Sequence, residues 1–164
     1  AYLSPEMKST GEAIGYDDQL PYALYKAMEA AGMNLQDHGT VLLSVCPEDL
    51  EEALPLVRRF YRLGFNIEAT TGTARFLKEQ GIRTRVRRDY TEDPADITEA
   101  MRSGRVAYLV NTRDPSSAAH MSAGRDMRRL AIENNVITFT SLDTVQALLD
   151  VLEAISSRIS TIDA

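Results

Sequence analysis

The strongest chemical signal in the sequence is a short segment rich in hydroxyls and glycine, residues 69–73 (ATTGT). It stands between an apolar run and a helical pattern, so its hydroxyls and backbone amides would lie at a helix N-terminus. Such an end offers unpaired N–H donors and a partial positive charge, which suit a phosphate group. Thr70, Gly72 and Thr73 are therefore candidate phosphate ligands. A plain N-cap turn is the alternative, since threonine is common there.

Small polar residues also stand at the ends of two other apolar runs. Ser44 lies near the end of residues 41–46 (VLLSVC), and Asn111 and Thr112 follow residues 106–110 (VAYLV). Side chains of this kind supply hydrogen bonds without filling a crevice. A turn-forming role would look the same. Together with the ATTGT segment, they predict one polar site.

Arginines are concentrated in a single stretch, RTRVRR, of an otherwise acidic chain. In a strand, Arg83, Arg85 and Arg87 would share one face, and we expect that face to be solvated and to discourage edge pairing. Arg88 would stand at the carboxyl end of the strand, and Arg113 follows the fourth apolar run. Because a guanidinium binds phosphate bidentately, Arg88 and Arg113 are further candidate ligands.

Residue types that commonly catalyse reactions or bind metals are scattered. His38 and His120 have no second histidine at metal-ligand spacing, so no metal site is predicted. Cys46 ends a buried run and is expected to behave as a small core hydrophobe. Asp93, which precedes Pro94, is explained as a helix N-cap. The chain has neither a Walker A loop nor a GxGxxG turn, and we predict no cofactor and no catalytic residue in this segment.

Composition limits the function further. The chain has 164 residues, 44% hydrophobic residues and net charge −6, as expected for one globular domain. No apolar run approaches the ~18–20 residues of a membrane helix, and the acidic balance argues against a general nucleic-acid binder. The single cysteine cannot form an internal disulfide, so cytoplasm is the expected compartment. The opening lacks an initiator Met and a signal-peptide pattern, and we expect a piece of a longer chain.

Apolar periodicity predicts the elements that position these residues. Residues 1–19 are polar and aperiodic and are predicted to be a connector, followed by one domain over residues 20–164. The predicted strands are 41–46, 65–69, 82–88, 106–110 and 136–139. The predicted helices are 20–31, 50–61, 73–80, 94–103, 123–134 and 142–155. Pro55 interrupts the second helix, which therefore either starts near Ala53 or is kinked.

Strands that alternate with helices predict an α/β fold. We expect a five-stranded parallel, doubly wound sheet of the Rossmann-like type, sandwiched between helices in three layers. Ligands of such sheets bind beyond the carboxyl ends of the strands, where the strand order reverses. The polar residues at the strand ends should meet at that edge.

A family resemblance extends along the chain. It is carried by residues 4–15 (SPEMKSTGEAIG), 23–27 (ALYKA), 39–45 (GTVLLSV), 52–56 (EALPL), 63–65 (LGF), 69–74 (ATTGTA) and 110–112 (VNT). These segments resemble the C-terminal regulatory domain of carbamoyl-phosphate synthetase large subunits, whose fold is methylglyoxal-synthase-like. The first of them resembles the junction that leaves the carbamoyl-phosphate half of that enzyme.

The resemblance implies a parent ligase that makes carbamoyl phosphate from bicarbonate, glutamine-derived ammonia and two ATP, with Mg, for pyrimidine and arginine synthesis. The present piece would be its allosteric domain, beside the rest of the large subunit and the glutaminase small subunit. The effector would be UMP, IMP or phosphoribosyl pyrophosphate. Its phosphate would map onto Ser44, Thr70, Gly72, Thr73, Asn111 and Thr112. Thr140 would lie near the contact with the carbamoyl-phosphate domain, and Ser141 is expected to cap the last helix.

The chain departs from the family pattern after its first and third strands. No lysine stands in the loop after the first strand, and Arg-Arg-Asp replaces a common Asn-Lys-Val. Arg88 and Arg113 would restore positive charge or favour a more highly phosphorylated effector.

Two alternatives stay open. One is methylglyoxal synthase, since Asp114, Pro115 and His120 resemble elements of its site. Its catalytic aspartate lies in a Gly-Gly-Asp-Gln segment, where this chain reads TEDPA over residues 91–95, so proton abstraction is not expected. The other is a packing or oligomerisation domain with an empty crevice.

Overall fold

The computed structural model describes residues 26, 29, 30, 32, 35–112 and 117–163, with side chains described as far as residue 157. The predicted connector, residues 1–19, lies outside the described residues. Most of the predicted helix 20–31 also does, although Lys26, Glu29 and Ala30 are helical. Arg113, Asp114 and Pro115 lie outside them as well.

One sheet of five strands forms the centre of the described domain. The strands are β1 (Thr40–Ser44), β2 (Asn66–Thr70), β3 (Arg85–Arg87), β4 (Val106–Asn111) and β5 (Ile137–Phe139). The helices are α1 (Leu50–Arg62), α2 (Thr71–Glu79), α3 (Pro94–Arg102), α4 (Ala118–Glu133) and α5 (Leu142–Asp163). Every strand pair is parallel, and the order is β3-β2-β1-β4-β5. The predicted five-stranded parallel α/β sheet is confirmed.

The strand order reverses between β1 and β4. The chain moves outward from β1 through β2 to β3, and then returns to the other side of β1 for β4 and β5. Ser44, the last residue of β1, is paired with Asn111, the last residue of β4. The crevice expected at a switch point therefore opens between these two strand ends.

Helices cover both faces of the sheet, as the continuous apolar strands require. Apolar residues of α1, α2 and α5 form one core cluster with one face, and those of α3 and α4 form a second cluster with the other. Tyr108 is fully buried in the first cluster, with Phe60, Phe65 and Phe139 around its ring. Its hydroxyl donates to the Gln36 carbonyl at 2.6 Å.

Pro55 neither delays nor ends the first of these helices. α1 begins at Leu50 and runs through Pro55, so of the two predicted alternatives the start near Ala53 is wrong. Pro55 lies on the exposed side of α1, where water can serve the carbonyl that loses its intrahelical partner. The buried side carries Leu56, Val57 and Phe60.

The arginine-rich strand differs most from its prediction. β3 spans three residues instead of seven, and Arg87 is 2% exposed, so the solvated face expected for Arg87 is wrong. Its Nε donates to Glu68 at 2.7 Å and its Nη1 to Asp96 at 2.8 Å. α3 brings Asp96 over this face of the edge strand, and the buried cation is matched by two carboxylates. Burial opposes the charge on Arg87, but these hydrogen bonds outweigh it and raise the pKa of Arg87.

Side-chain caps mark the start of two helices, and one of these helices begins earlier than periodicity predicts. Asp93 caps α3 as predicted, since its carboxylate accepts the Ala95 N–H at 3.1 Å. α4 begins at Ala118 instead of residue 123, because Ser117 accepts the His120 N–H at 3.2 Å. α2 begins at Thr71, and α5 extends to Asp163. In the described part of the chain, no helix is both long and apolar enough to cross a membrane.

Candidate functional site

A cavity of about 290 Å³ opens at the carboxyl edge of the sheet. It lies beyond the ends of β1, β2 and β4, at the switch point. Six predicted residues line it: Ser44, Thr70, Gly72, Thr73, Asn111 and Thr112. Segments distant in sequence thus meet where the strand-end argument placed them.

Two threonine hydroxyls hold the loop that follows β1. The Thr73 Oγ1 accepts the Val45 N–H at 3.0 Å, and the Thr112 Oγ1 accepts the Cys46 N–H at 3.0 Å. The Thr112 N–H also donates to the Ser44 carbonyl at 3.1 Å. The loop is therefore held by the first turn of α2 on one side and by the residue after β4 on the other.

The Thr73 hydroxyl is already paired within the protein. Thr73 is 4% exposed, and its hydroxyl also lies 3.3 Å from the Val45 carbonyl, to which it donates. We expected this hydroxyl to bind phosphate directly, and that contact stays a prediction. The structure assigns it a positioning role for the loop that forms one wall of the cavity.

The first turn of α2 brings backbone donors to the cavity. Thr70 is the N-cap residue, with extended backbone, but its side chain makes no capping hydrogen bond. Its hydroxyl lies 3.5 Å from that of Thr73 instead. Gly72 lines the cavity with backbone atoms alone, and a Cβ built there would meet nothing within 4 Å. The amides of this turn lack intrahelical partners and suit an anion.

Cys46 lines this cavity, so the expectation of a core position is wrong. Its thiol donates to the Asp49 carboxylate at 3.0 Å, beside the short helical turn Pro47–Asp49. Burial, followed by this hydrogen bond, raises the pKa of Cys46 to about 11. The thiol is therefore protonated at neutral pH and is a weak nucleophile.

Two ionisable groups in the cavity went unrecognised as a pair from the sequence. Asp89 follows β3 by two residues, and its Oδ1 accepts both the N–H and the hydroxyl of Thr91, at 3.0 and 2.9 Å. His120 reaches the cavity from the first turn of α4. The strand-end argument applies to Asp89 as well, but the arginines beside it are the stronger signal in the sequence. His120 lies in the first turn of α4 only because α4 begins at Ala118, five residues before the predicted start.

A comparison with known families fits this geometry. The profile of the MGS-like domain family matches residues 52–140, more than half of the chain. The chain belongs to the MGS-like domain family. The match runs from α1 to the residue after β5, and it includes five of the six predicted cavity residues; Ser44 lies before it.

Two predicted residues in the described part of the chain do not line the cavity of this MGS-like domain. The side chain of Arg88 is 71% exposed, with its Nη1 3.6 Å from Asp93, and it does not line the cavity. Arg113 lies outside the described residues. Thr140 is half-buried after β5 and does not line the cavity either. Ser141 contacts the Thr144 N–H at 3.5 Å, as the predicted cap of α5 would.

The charge around the cavity of the MGS-like domain is sparse. Its described lining includes no lysine or arginine. Across the described residues, no three His, Cys, Asp or Glu side chains group as metal ligands. An anion bound here would rely on the amides at the start of α2.

Proposed function

We propose that this MGS-like domain is a regulatory module that binds a phosphate-bearing small molecule in the carboxyl-edge cavity. The observation that carries the proposal is Gly72, whose backbone lines the cavity in the first turn of α2. The helix end supplies N–H donors and a partial positive charge, and the hydroxyls of Thr73 and Thr112 keep the facing loop in place.

The rest of the lining favours a mononucleotide over a bare phosphate. Asp89 is an acceptor that would repel a second phosphate but would accept a hydrogen bond from a ribose hydroxyl. Leu50, Ala123 and Met127 offer an apolar wall for a base. The volume of about 290 Å³ lies just below the ~300–1,000 Å³ typical of ligand cavities, as expected for a small ligand. UMP and IMP fit this pattern better than phosphoribosyl pyrophosphate.

We further propose that the parent protein is the large subunit of a cytoplasmic, glutamine-hydrolysing carbamoyl-phosphate synthase. Support comes from membership of the MGS-like family and from the resemblance of residues 4–15 to the junction in that enzyme. The ligase chemistry, with ATP and Mg, would belong to the remainder of the large subunit, and the small subunit would supply ammonia. Thr140 would then lie toward the carbamoyl-phosphate domain and pass on effector binding.

Calorimetric titration of the chain with UMP, IMP, phosphoribosyl pyrophosphate, uridine and inosine tests effector binding. We expect at least one phosphorylated compound to bind, and its nucleoside to bind far more weakly. Gly72→Ala should reduce affinity by about tenfold or more, because the added methyl would stand in open space at the cavity lining, where the ligand would lie. Its melting temperature should not fall, since alanine suits a helix better than glycine.

Equal binding of nucleosides and nucleotides, or unchanged affinity in Gly72→Ala, would contradict a phosphate site at α2. Ser103→Ala is the matched control, because it changes one small residue at the end of α3, outside the cavity lining. It should bind as the wild type does.

A second candidate function, proton abstraction beside a carbonyl, rests on Asp89 and His120 lining the same cavity. The carboxylate would accept a proton from the carbon beside the carbonyl, and the imidazole would donate to the carbonyl oxygen. The resulting enediol would then expel inorganic phosphate by cleavage of its C–O bond and leave methylglyoxal. The assay is release of methylglyoxal from dihydroxyacetone phosphate, with Asp89→Asn as the control. We expect no release above background. Release that Asp89→Asn abolishes would establish the lyase in place of the regulatory module.

A further inference from the structure

A second concave region, the amino-edge groove, lies at the opposite edge of the sheet. It has a volume of about 730 Å³ and is lined by the first residues of β1, β2 and β3. Arg83, Arg85 and Arg105 all line it, and all three are exposed. The groove shares no lining residue with the carboxyl-edge cavity, so the two are separate sites.

These three arginines have no ion-pair partner within residues 35–112 and 117–157. Glu68 is the carboxylate in the groove lining, but its side chain is 7% exposed and is held by Arg87 at 2.7 Å. A cluster of cations that have no ion-pair partner among the described residues, in a chain of net charge −6, leaves a local positive field. That field is complementary to carboxylates from outside.

Protection of the sheet edge explains only part of the cluster. β3 pairs with β2 alone, so Arg83 and Arg85 stand at an edge strand, where charge discourages unwanted pairing. Arg105 instead precedes β4, which lies between β1 and β5. Edge protection gives no reason for a third arginine to reach this groove from the inner part of the sheet.

The backbone holds Arg105 in place. Its carbonyl accepts the Thr40 N–H at 2.9 Å, and its N–H donates to the Ser103 hydroxyl at 3.1 Å. Gly39 packs against that carbonyl, since a Cβ there would lie 3.1 Å from it. The base of the side chain is therefore fixed, while its guanidinium is exposed and ready for a partner.

The groove is poorly suited to a compact phosphate. α1 and α3 end near it, at Arg62 and Arg102, and helix C-termini carry a partial negative charge. No helix begins among its lining residues, so it lacks the amides found at the start of α2. Three separate, exposed guanidiniums can each pair with a different carboxylate. Half-exposed Tyr61 adds an aromatic contact of the kind common at protein interfaces.

We propose that the amino-edge groove is a docking surface for an acidic polypeptide segment of another domain or subunit. Arg83, Arg85 and Arg105 would bind its Asp and Glu side chains by charge-assisted, bidentate hydrogen bonds. The acidic segment would contact the arginine side chains and would not pair with β3 as a sixth strand, because β3 is short and its edge is charged.

Fluorescence anisotropy with a labelled oligoglutamate peptide tests this surface on the whole chain at about 50 mM salt. We expect saturable binding, and no binding of oligoglutamine. Replacing Arg83, Arg85 and Arg105 with Gln should weaken binding by about tenfold or more. Replacing the exposed Arg75, Arg88 and Arg125 with Gln changes net charge equally, outside the groove lining, and should have little effect. Circular dichroism confirms folding of both variants.

Three outcomes would overturn the proposal. They are failure of oligoglutamate to bind, an equal loss in the two triple variants, and displacement of the peptide by pyrophosphate beyond the effect of chloride at equal ionic strength. The last would make the groove a phosphate site. Gly72→Ala should bind oligoglutamate as the wild type does, which separates this surface from the effector cavity.

Discussion

At the carboxyl edge of the sheet, the cavity is lined by hydroxyls and the first turn of α2, whereas three arginine side chains line the groove at the amino edge. Both regions suit anions, but the donors differ. The cavity depends on backbone amides whose positions follow from the fold, and the groove depends on side-chain charge. Parallel strands explain the contrast, because helices begin at one edge and end at the other.

The two edges also differ in the contacts that hold them in place. Hydroxyl-to-backbone bonds from Thr73 and Thr112 fix the loop at the cavity. The floor of the groove includes Glu68, which belongs to the buried ion-pair network with Arg87 and Asp96. We therefore expect a large stability change from breaking the network and smaller changes from the loop contacts.

The largest effect is expected from Glu68→Ala. This change leaves Arg87 buried with one of its two carboxylate partners and should destabilise the fold by about 3–5 kcal/mol. Urea unfolding measures the loss. Glu68→Leu combined with Arg87→Met should recover much of it, since both fully buried charges are removed and Asp96, whose side chain is 25% exposed, keeps the Arg88 N–H. A double variant no more stable than Glu68→Ala would show that packing, rather than charge, holds this part of the sheet.

The next largest effect is expected from a glycine substitution, and it should differ in size between the two edges. Gly39→Ala at the amino edge should cost about 1–3 kcal/mol, because its φ is +115° and the new Cβ would lie 3.1 Å from the Arg105 carbonyl. Gly72→Ala at the carboxyl edge has open space and should change stability by less than about 1 kcal/mol. Thermal unfolding of the pair gives the comparison. Equal losses of stability in the two variants would show that the close contact at Gly39 does not distinguish the two edges.

Thr73→Val tests the loop at the cavity. Loss of the hydroxyl leaves the Val45 N–H without its partner and should cost about 1–3 kcal/mol, with weaker binding of any phosphorylated ligand. Thr73→Ser keeps the hydroxyl and should retain binding. Thr84→Val is a control at a second buried threonine, outside the cavity, whose hydroxyl donates to the Ile82 carbonyl. It should leave binding unchanged even where it lowers stability.

The smallest expected effect is a dependence of stability on acid pH through Asp96. Burial opposes its charge, but hydrogen bonds from the Arg88 N–H and Arg87 outweigh burial and lower the pKa of Asp96. The ionised form is therefore favoured in the folded state. The contribution of ionised Asp96 to the free energy of unfolding is complete above the ordinary pKa of 3.8. It is lost as the pH falls through the lower pKa that Asp96 has in the folded state.

Urea unfolding at a series of pH values from neutral to acid measures this contribution. Asp96→Asn should be less stable than the wild type near neutral pH and should lose less stability below the ordinary pKa of 3.8. Parallel curves for the two proteins would show that other carboxylates account for the acid sensitivity.

Much of the fold could be predicted because its causes are local. Apolar runs predicted each strand within a few residues, and the Asp93-Pro94 pair predicted the start of α3. Errors arose where a cap or a solvent-facing position outweighs periodicity, as at Ser117 and Pro55. The alternation of elements was enough to place Thr70 and Asn111 at one edge.

The sequence by itself determined the α/β class, the parallel sheet and the polar strand ends, because hydrophobic periodicity and the conformational preferences of turn residues act over a few residues. Only the tertiary structure decided that Arg87 is buried, that Asp89 lines the cavity, and that Arg105 joins the groove. Such facts depend on which strands are neighbours and which helix covers them. The bonds that hold the loop after β1 join residues 28 and 66 positions apart, and no local pattern specifies such pairs.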